Sequence, residues 1–203
     1  MSLSPSQIDA LTEAVSIGVG RSACSLSDMI DRWVHLHTPS LSVCNPGGLC
    51  DALDSDGGPY DTAVVLEFAG EINGRAMLAF SQQSGAELAR IFGNQVQRDS
   101  GPGIDQSAIL EEIGNVVLNG VLGSIANLFE IGFAYQTPCI RTAAHAYDMM
   151  ALKCPLQATC SRFCMVSDAV FEVAQSEISG SLMLSFCAGE LATRLDGLQL
   201  TVE

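Results

Sequence analysis

Basic side chains are scarce: nine Lys and Arg stand against 23 Asp and Glu in 203 residues, so the formal charge is −14. Binding nucleic acid means neutralising phosphates with clustered Lys and Arg. Scattered basic residues in an acidic chain exclude that, and on the same ground they disfavour anionic membranes and acidic substrates. Charged residues of either sign make up only 16% of the chain, beside 48% hydrophobic ones. That apolar content is enough to offset the entropy of ordering the backbone, which excludes a disordered chain. No Lys or Arg precedes Arg21, and the chain opens on Ser, Pro and Gln. The charged start and apolar run of a secretion signal are therefore missing, and a cytoplasmic location is expected. The stretch from Ile113 to Tyr135 has the apolarity of a membrane span, but Asn115, Asn119, Asn127 and Glu130 interrupt it and no basic residues flank it. It reads as an amphipathic helix running into a strand. Without a secretion signal, the eight cysteines are expected as thiols, most of them buried, and not as disulfides.

What the chain does contain, it contains twice. Gly70-Glu71-Ile72-Asn73-Gly74-Arg75-Ala76-Met77-Leu78-Ala79-Phe80 matches Ser176-Glu177-Ile178-Ser179-Gly180-Ser181-Leu182-Met183-Leu184-Ser185-Phe186 position for position. A similar helix start follows each, Gly85-Ala86-Glu87-Leu88-Ala89 and Ala188-Gly189-Glu190-Leu191-Ala192. The spacing predicts the same order of elements in both halves. A long helix comes first, over Ser6 to Ile30 and over Ile104 to Phe129. Leu11, Val15, Val19, Leu26 and Met29 share one side of the first, and Leu110, Ile113, Val117, Val121, Ile125 and Leu128 one side of the second. A strand follows, Trp33 to Cys44 and Phe133 to Ala143. A hairpin comes next, Asp61 to Ala69 with Gly74 to Phe80, and Cys160 to Ala174 with Gly180 to Phe186. The first hairpin is expected to turn at Asn73-Gly74 as a type I′ turn. A short helix closes each half, Gly85 to Phe92 and Ala188 to Leu195. Asn45 to Pro59, Gly93 to Gly103 and Tyr147 to Ala158 read as linkers. The fold class is therefore α+β: internally duplicated α-β-β-β-α units with pseudo-twofold symmetry, whose strands join in one six-stranded sheet beside two long helices. The 203 residues form a single domain of two repeats, about 6–93 and 104–197.

On the second long helix Glu112, Asn115 and Asn119 occupy a narrow polar arc opposite the apolar stripe, because residues three and four apart are neighbours. Pro138 follows Asn115 with twenty-two residues between them. The first half carries Glu13 and Ser16 on its long helix and Pro39 after it in the same series, each 99 positions earlier.

Glu-x-x-Asn with a distant Pro, written twice in a duplicated α/β chain, resembles the CheC/CheX/FliY family of bacterial chemotaxis phosphatases. Glu112-Ile113-Gly114-Asn115 is similar to that family's Glu-Ile-Gly-Asn, and Ser16-Ile17-Gly18-Val19-Gly20-Arg21-Ser22-Ala23 to its Asn-Ile-Gly-x-Gly-x-x-Ala. The similarity covers nearly the whole chain. The resemblance implies hydrolysis of the aspartyl phosphate on a phosphorylated CheY-type response regulator, with a CheD-type protein as a further candidate partner. It assigns Asn115 to orienting the attacking water and Glu112 to pairing with the regulator's lysine, with Pro138 in support. No cofactor belongs to the chain itself; magnesium is expected on the regulator. Ser16 replaces an Asn at the first site and lacks the amide's two-pronged geometry, so Asp9, Glu13, Ser16 and Pro39 form a degenerate second site. Family members often carry Asp or Ser four residues before the Glu; Asp9 satisfies this before Glu13, whereas Ala108 precedes Glu112.

Plainer readings stand beside these. Glu112 and Asn115 also suit a solvated helix face, and Pro39 and Pro138 suit strand edges or bulges. Cys154, Cys160 and Cys164 with His145 lack the close Cys-x-x-Cys pair of a zinc site, so no metal is assigned. His35 and His37 share one face of a strand and read as exposed or hydrogen-bonded histidines. Gly18-Val19-Gly20 lies in a helical pattern, the wrong context for a dinucleotide fingerprint, and reads as room for the long helices to lie close to the sheet. Two functions survive: a response-regulator phosphatase, or a non-catalytic regulator or flagellar-switch module that docks a signalling partner.

Overall fold

A capping box starts the first helix, α1 (Pro5–Ile30): Ser4 Oγ accepts the Gln7 N–H at 3.2 Å while Gln7 Oε1 accepts the Ser4 N–H at 2.9 Å. Two of the orphan donors at the helix end are thereby satisfied. Asp31, in the left-handed region at φ 50°, ends it. In the computed structural model, which describes residues 3–38, 41–44, 60–100, 105–143, 162–173 and 175–197, α1 is followed by β1 (Val34–His37), β2 (Ser42–Cys44), β3 (Thr62–Gly70), β4 (Gly74–Phe80) and α2 (Gln82–Ser100). Then come α3 (Gln106–Phe129), β5 (Phe133–Tyr135), β6 (Cys139–Thr142), β7 (Arg162–Val173), β8 (Ser176–Cys187) and α4 (Ala188–Gly197).

The described strands form one antiparallel sheet in the order β1-β7-β8-β4-β3-β5, with β2 also on β7 and β6 also on β3. The sheet thus has eight strands where six were expected. Each predicted edge strand is broken in two, and both pieces stay on one neighbour. Pro138, which has no N–H to give a ladder, stands in the break between β5 and β6. Pro39 lies outside the described residues. Exchanging β1–β4 for β5–β8 turns every pairing into another observed pairing. In each half the edge strands therefore lie on the other half's hairpin. Met77 and Met183 face each other at the centre, where Gly74 pairs with Phe186 and Phe80 with Gly180.

Residues from all four described helices join one core cluster on one face of the sheet, including Leu11, Val19, Phe92, Val117, Leu122 and Leu191. Alternation along the strands sends Val64, Leu66, Ala76, Leu78, Leu182 and Leu184 toward it. A smaller cluster, containing Ala63, Val65, Met77, Ala79, Cys164 and Met183, occupies the opposite face. Helix α3 is apolar and long enough to cross a membrane, but 56% of its most apolar window is buried against the rest of the chain. It is a core helix by position.

Other expectations change. The segment from Gly93, read as a linker, continues α2 to Ser100; Gln95, Gln97 and Arg98 are good helix formers. Neither Asn73 nor Gly74 has positive φ, so the hairpin does not make the expected type I′ turn there. Glu190 instead holds Asn73, accepting its N–H at 2.8 Å and its side-chain amide at 3.0 Å. At Gly74 a Cβ would stand 2.3 Å from the Phe68 ring and 2.4 Å from the Ser185 carbonyl, so packing demands this glycine. Cys24, Cys139 and Cys164 are free thiols, but Cys187 is disulfide-bonded, to a cysteine that is none of these. Linear spacing gave no hint of a bridge that depends on three-dimensional proximity. Cys154, Cys160 and His145 lie outside the described residues.

Candidate functional site

Two antiparallel helices, α1 and α3, frame the candidate site. Gly18 is where they cross: a Cβ there would stand 2.5 Å from the Val121 Cα and 2.7 Å from the Gly120 carbonyl. The buried Ser22 hydroxyl donates to the Gly18 carbonyl of its own helix at 2.8 Å and lies 3.2 Å from the Val116 carbonyl across the interface. Gly18 therefore makes room for the other helix and not for the sheet, contrary to the sequence reading.

Glu112 and Asn115 lie one turn apart on α3, the carboxylate exposed and the amide half-buried. Asn119, one turn further on, donates its Nδ2 to Asn115 Oδ1 at 2.6 Å. The bond fixes the Asn115 amide plane and leaves its NH2 without a partner among the described residues. A neutral donor held in one orientation suits a phosphoryl oxygen or a water molecule, and the second lone pair on Oδ1 still accepts. Glu111 ties the helix to the strand behind it, its Oε1 accepting the Ile140 N–H at 3.1 Å. Pro138, half-buried, stands two residues before that anchor. The helix pair Glu112–Asn115 and the Pro138 loop are thus held to one another through Glu111. Tyr135, 42% exposed, closes the strand before the loop; partial burial raises its phenol above the usual value, because the phenolate is the form that loses solvation.

The degenerate site does not join this one. Asp9, Glu13 and Ser16 are all exposed on α1. Because the helices run antiparallel, Glu13 lies five residues before the crossing on one side and Glu112 eight residues before it on the other, about 20 Å apart along the pair at 1.5 Å per residue. Glu13 instead borders a cavity of about 420 Å³ between the helices, lined also by Ile17, Arg21, Ser124 and Leu128.

Asn119 and Glu111 were not assigned roles from the sequence. Asn119 was visible on the polar arc, four residues after Asn115, which is the helical signal for such a bond. Glu111 bonds a backbone N–H 29 residues away, and no spacing rule reveals that.

Neither a protein-family model nor a curated protein sequence matches the chain. Solved structures do match it. Thermotoga maritima FliY superposes with a TM-score of 0.68 at 17% identity over 97% of each chain. The FliM middle domain from H. pylori gives 0.63 at 8% identity over 97% of this chain and 100% of that one. The chemotaxis protein CheX from Desulfovibrio desulfuricans gives 0.50 at 14% identity over 86% and 98%. The chain has the fold of the CheC/CheX/FliY proteins, and its resemblance to them in sequence motifs is matched by resemblance in architecture.

Proposed function

We propose that the chain docks on a phosphorylated CheY-type response regulator and hydrolyses its aspartyl phosphate. The observation that carries this reading is the Asn119 to Asn115 hydrogen bond, which orients a neutral amide one turn from an exposed carboxylate. In the reaction a water oxygen attacks phosphorus, the bond from phosphorus to the aspartyl oxygen breaks, and the electron pair leaves with the carboxylate to give inorganic phosphate. Positioning supplies much of the catalysis in such transfers. Asn115 holds the water in line with the leaving carboxylate. Glu112 pairs with a lysine of the regulator and seats the helix in its acidic pocket, where excluded water strengthens the attraction. Magnesium expected in the regulator's pocket would supply neutralising charge to the phosphoryl oxygens. The enzyme acts in the cytoplasm alongside its regulator, and its two halves descend from one duplicated unit. A CheD-type protein is a further candidate partner.

A second reading, a docking module without turnover, draws on the FliM middle domain having the same fold and on Ser16 and Ala108 standing where the resemblance implies Asn and Asp or Ser. Mixing the protein with a phosphorylated regulator and following phosphate release separates the two. Accelerated release supports the enzyme; binding with an unchanged release rate supports the module.

Three variants refine the test. Glu112→Lys sets a positive charge against the regulator's lysine, so the expected result is weaker binding to the phosphorylated regulator, with the dissociation constant read by titration. Binding as tight as wild type would remove Glu112 from docking. Asn119→Ala frees the Asn115 amide to rotate; turnover at saturating regulator should fall by less than on removal of Asn115 itself, with KM unchanged. Ser16→Asn restores an amide beside Glu13, with Asp9 in place. In an Asn115→Ala background, where residual activity is low, it is expected to raise dephosphorylation. No rise with binding intact would mean that the first helix has diverged at more than this residue, and the cavity beside Glu13 is where to look.

A further inference from the structure

We propose that His35, His37 and Glu172 form a binding site for a divalent transition-metal ion of the zinc class, on the sheet edge away from the phosphatase helix face. Alternation puts both imidazoles on one face of β1, and the register of β1 with β7 sets Glu172 directly opposite His35. His35 Nδ1 lies 3.6 Å from one carboxylate oxygen of Glu172 and His37 Nδ1 lies 3.7 Å from the other. The three ligand atoms all fall within 4.8 Å of one another. These separations are too long for hydrogen bonds. Two ligands of one tetrahedral zinc at 2.0–2.2 Å stand about 3.4 Å apart, so the separations are close to those of ligands sharing an ion.

A second, independent observation points the same way. The His37 Nδ1 atom is buried and has no hydrogen-bond partner, a state that costs free energy whichever tautomer is present. A metal ion would satisfy it. Trp33 stacks on His35 at 5.5 Å and 15°, and His35 on His37 at 5.0 Å and 30°, so the ring planes are held before any ion arrives. Two imidazoles and a carboxylate favour zinc, nickel, copper or iron over magnesium or calcium, which prefer all-oxygen sites. Three protein ligands leave a fourth position open. Trp33 and Glu172 also line a neighbouring cavity of about 350 Å³, which neither histidine borders. The ion would tie edge strand β1 to β7 through side chains as well as backbone. Sequence reading put the two histidines on one face but missed the third ligand, 135 positions after His37.

The test is zinc titration of the full chain, with its Cys187 bridge intact, by calorimetry, with cobalt(II) as a spectroscopic probe. One equivalent should bind, with a change in emission from Trp33, the single tryptophan. His37→Ala and Glu172→Gln should each weaken that event at least tenfold, as loss of a ligand does where even supporting residues cost ten- to a hundredfold. The cobalt complex of the wild type should lack the near-ultraviolet band of thiolate ligation. That spectrum needs no variant, so the proposal stays testable if a substitution disturbs β1. Absence of stoichiometric binding, equal affinity in both variants, or a thiolate band in the cobalt complex would overturn it.

Discussion

Asn115→Ala is expected to lower phosphate release roughly tenfold to a thousandfold, the range seen when one transition-state hydrogen-bonding group is deleted, while the chain stays folded. Asn115 is half-buried on the polar side of α3 and belongs to neither core cluster. Among the described residues its side chain bonds Asn119, so the stability lost should be about 1 kcal/mol. Regulator binding should persist, because Glu112 is untouched. A folded variant that binds the regulator and turns it over at the wild-type rate would show that α3 is not the active helix.

Gly18→Val should produce the largest loss of stability. The added Cβ would meet backbone atoms of α3, the Val121 Cα at 2.5 Å and the Val121 N at 2.9 Å, which cannot rotate away as a side-chain tip can. Overpacking of a well-filled contact costs about 1–3 kcal/mol, and a backbone obstacle puts this variant at the upper end or beyond. Gly20→Ala is the matched control: nothing lies within 4 Å of its Cβ position. Replacing an exposed glycine inside a helix there should stabilise by about 0.5–1 kcal/mol. Urea midpoints of the two variants should therefore move in opposite directions. A midpoint for Gly18→Val equal to wild type would mean that the helices do not cross at this residue in solution.

The long helices were legible because each carries a sustained apolar stripe, and their observed bounds lie within two residues of the expected ones. The repeated hairpin segments also surfaced as strands, since their alternation is strong. What escaped was whatever depends on a partner far along the chain. Interruption of the edge strands, Glu190 holding Asn73, Glu111 holding Ile140 and the bridge at Cys187 are all set by tertiary placement. At the candidate site, helical spacing was enough to set Glu112 and Asn115 side by side, while their roles came from the family resemblance. The role of Asn119 needed the 2.6 Å contact.

Strand exchange between the halves bears on how the chain is made. Val34 pairs with Val173, 139 residues later. At synthesis rates of roughly 5–20 residues per second, β1 emerges about 7–28 s before its partner exists. For the first part of that interval the first hairpin also lacks β5 and β6, and throughout it lacks β8, so its edges stand open to pairing with other nascent chains. The β3 edge gains its native neighbours once β5 and β6 have emerged, but the β4 edge has none until β8 follows. Expression at lower temperature, or co-production of a holdase chaperone, should raise the soluble yield more for this topology than for one whose halves close on themselves.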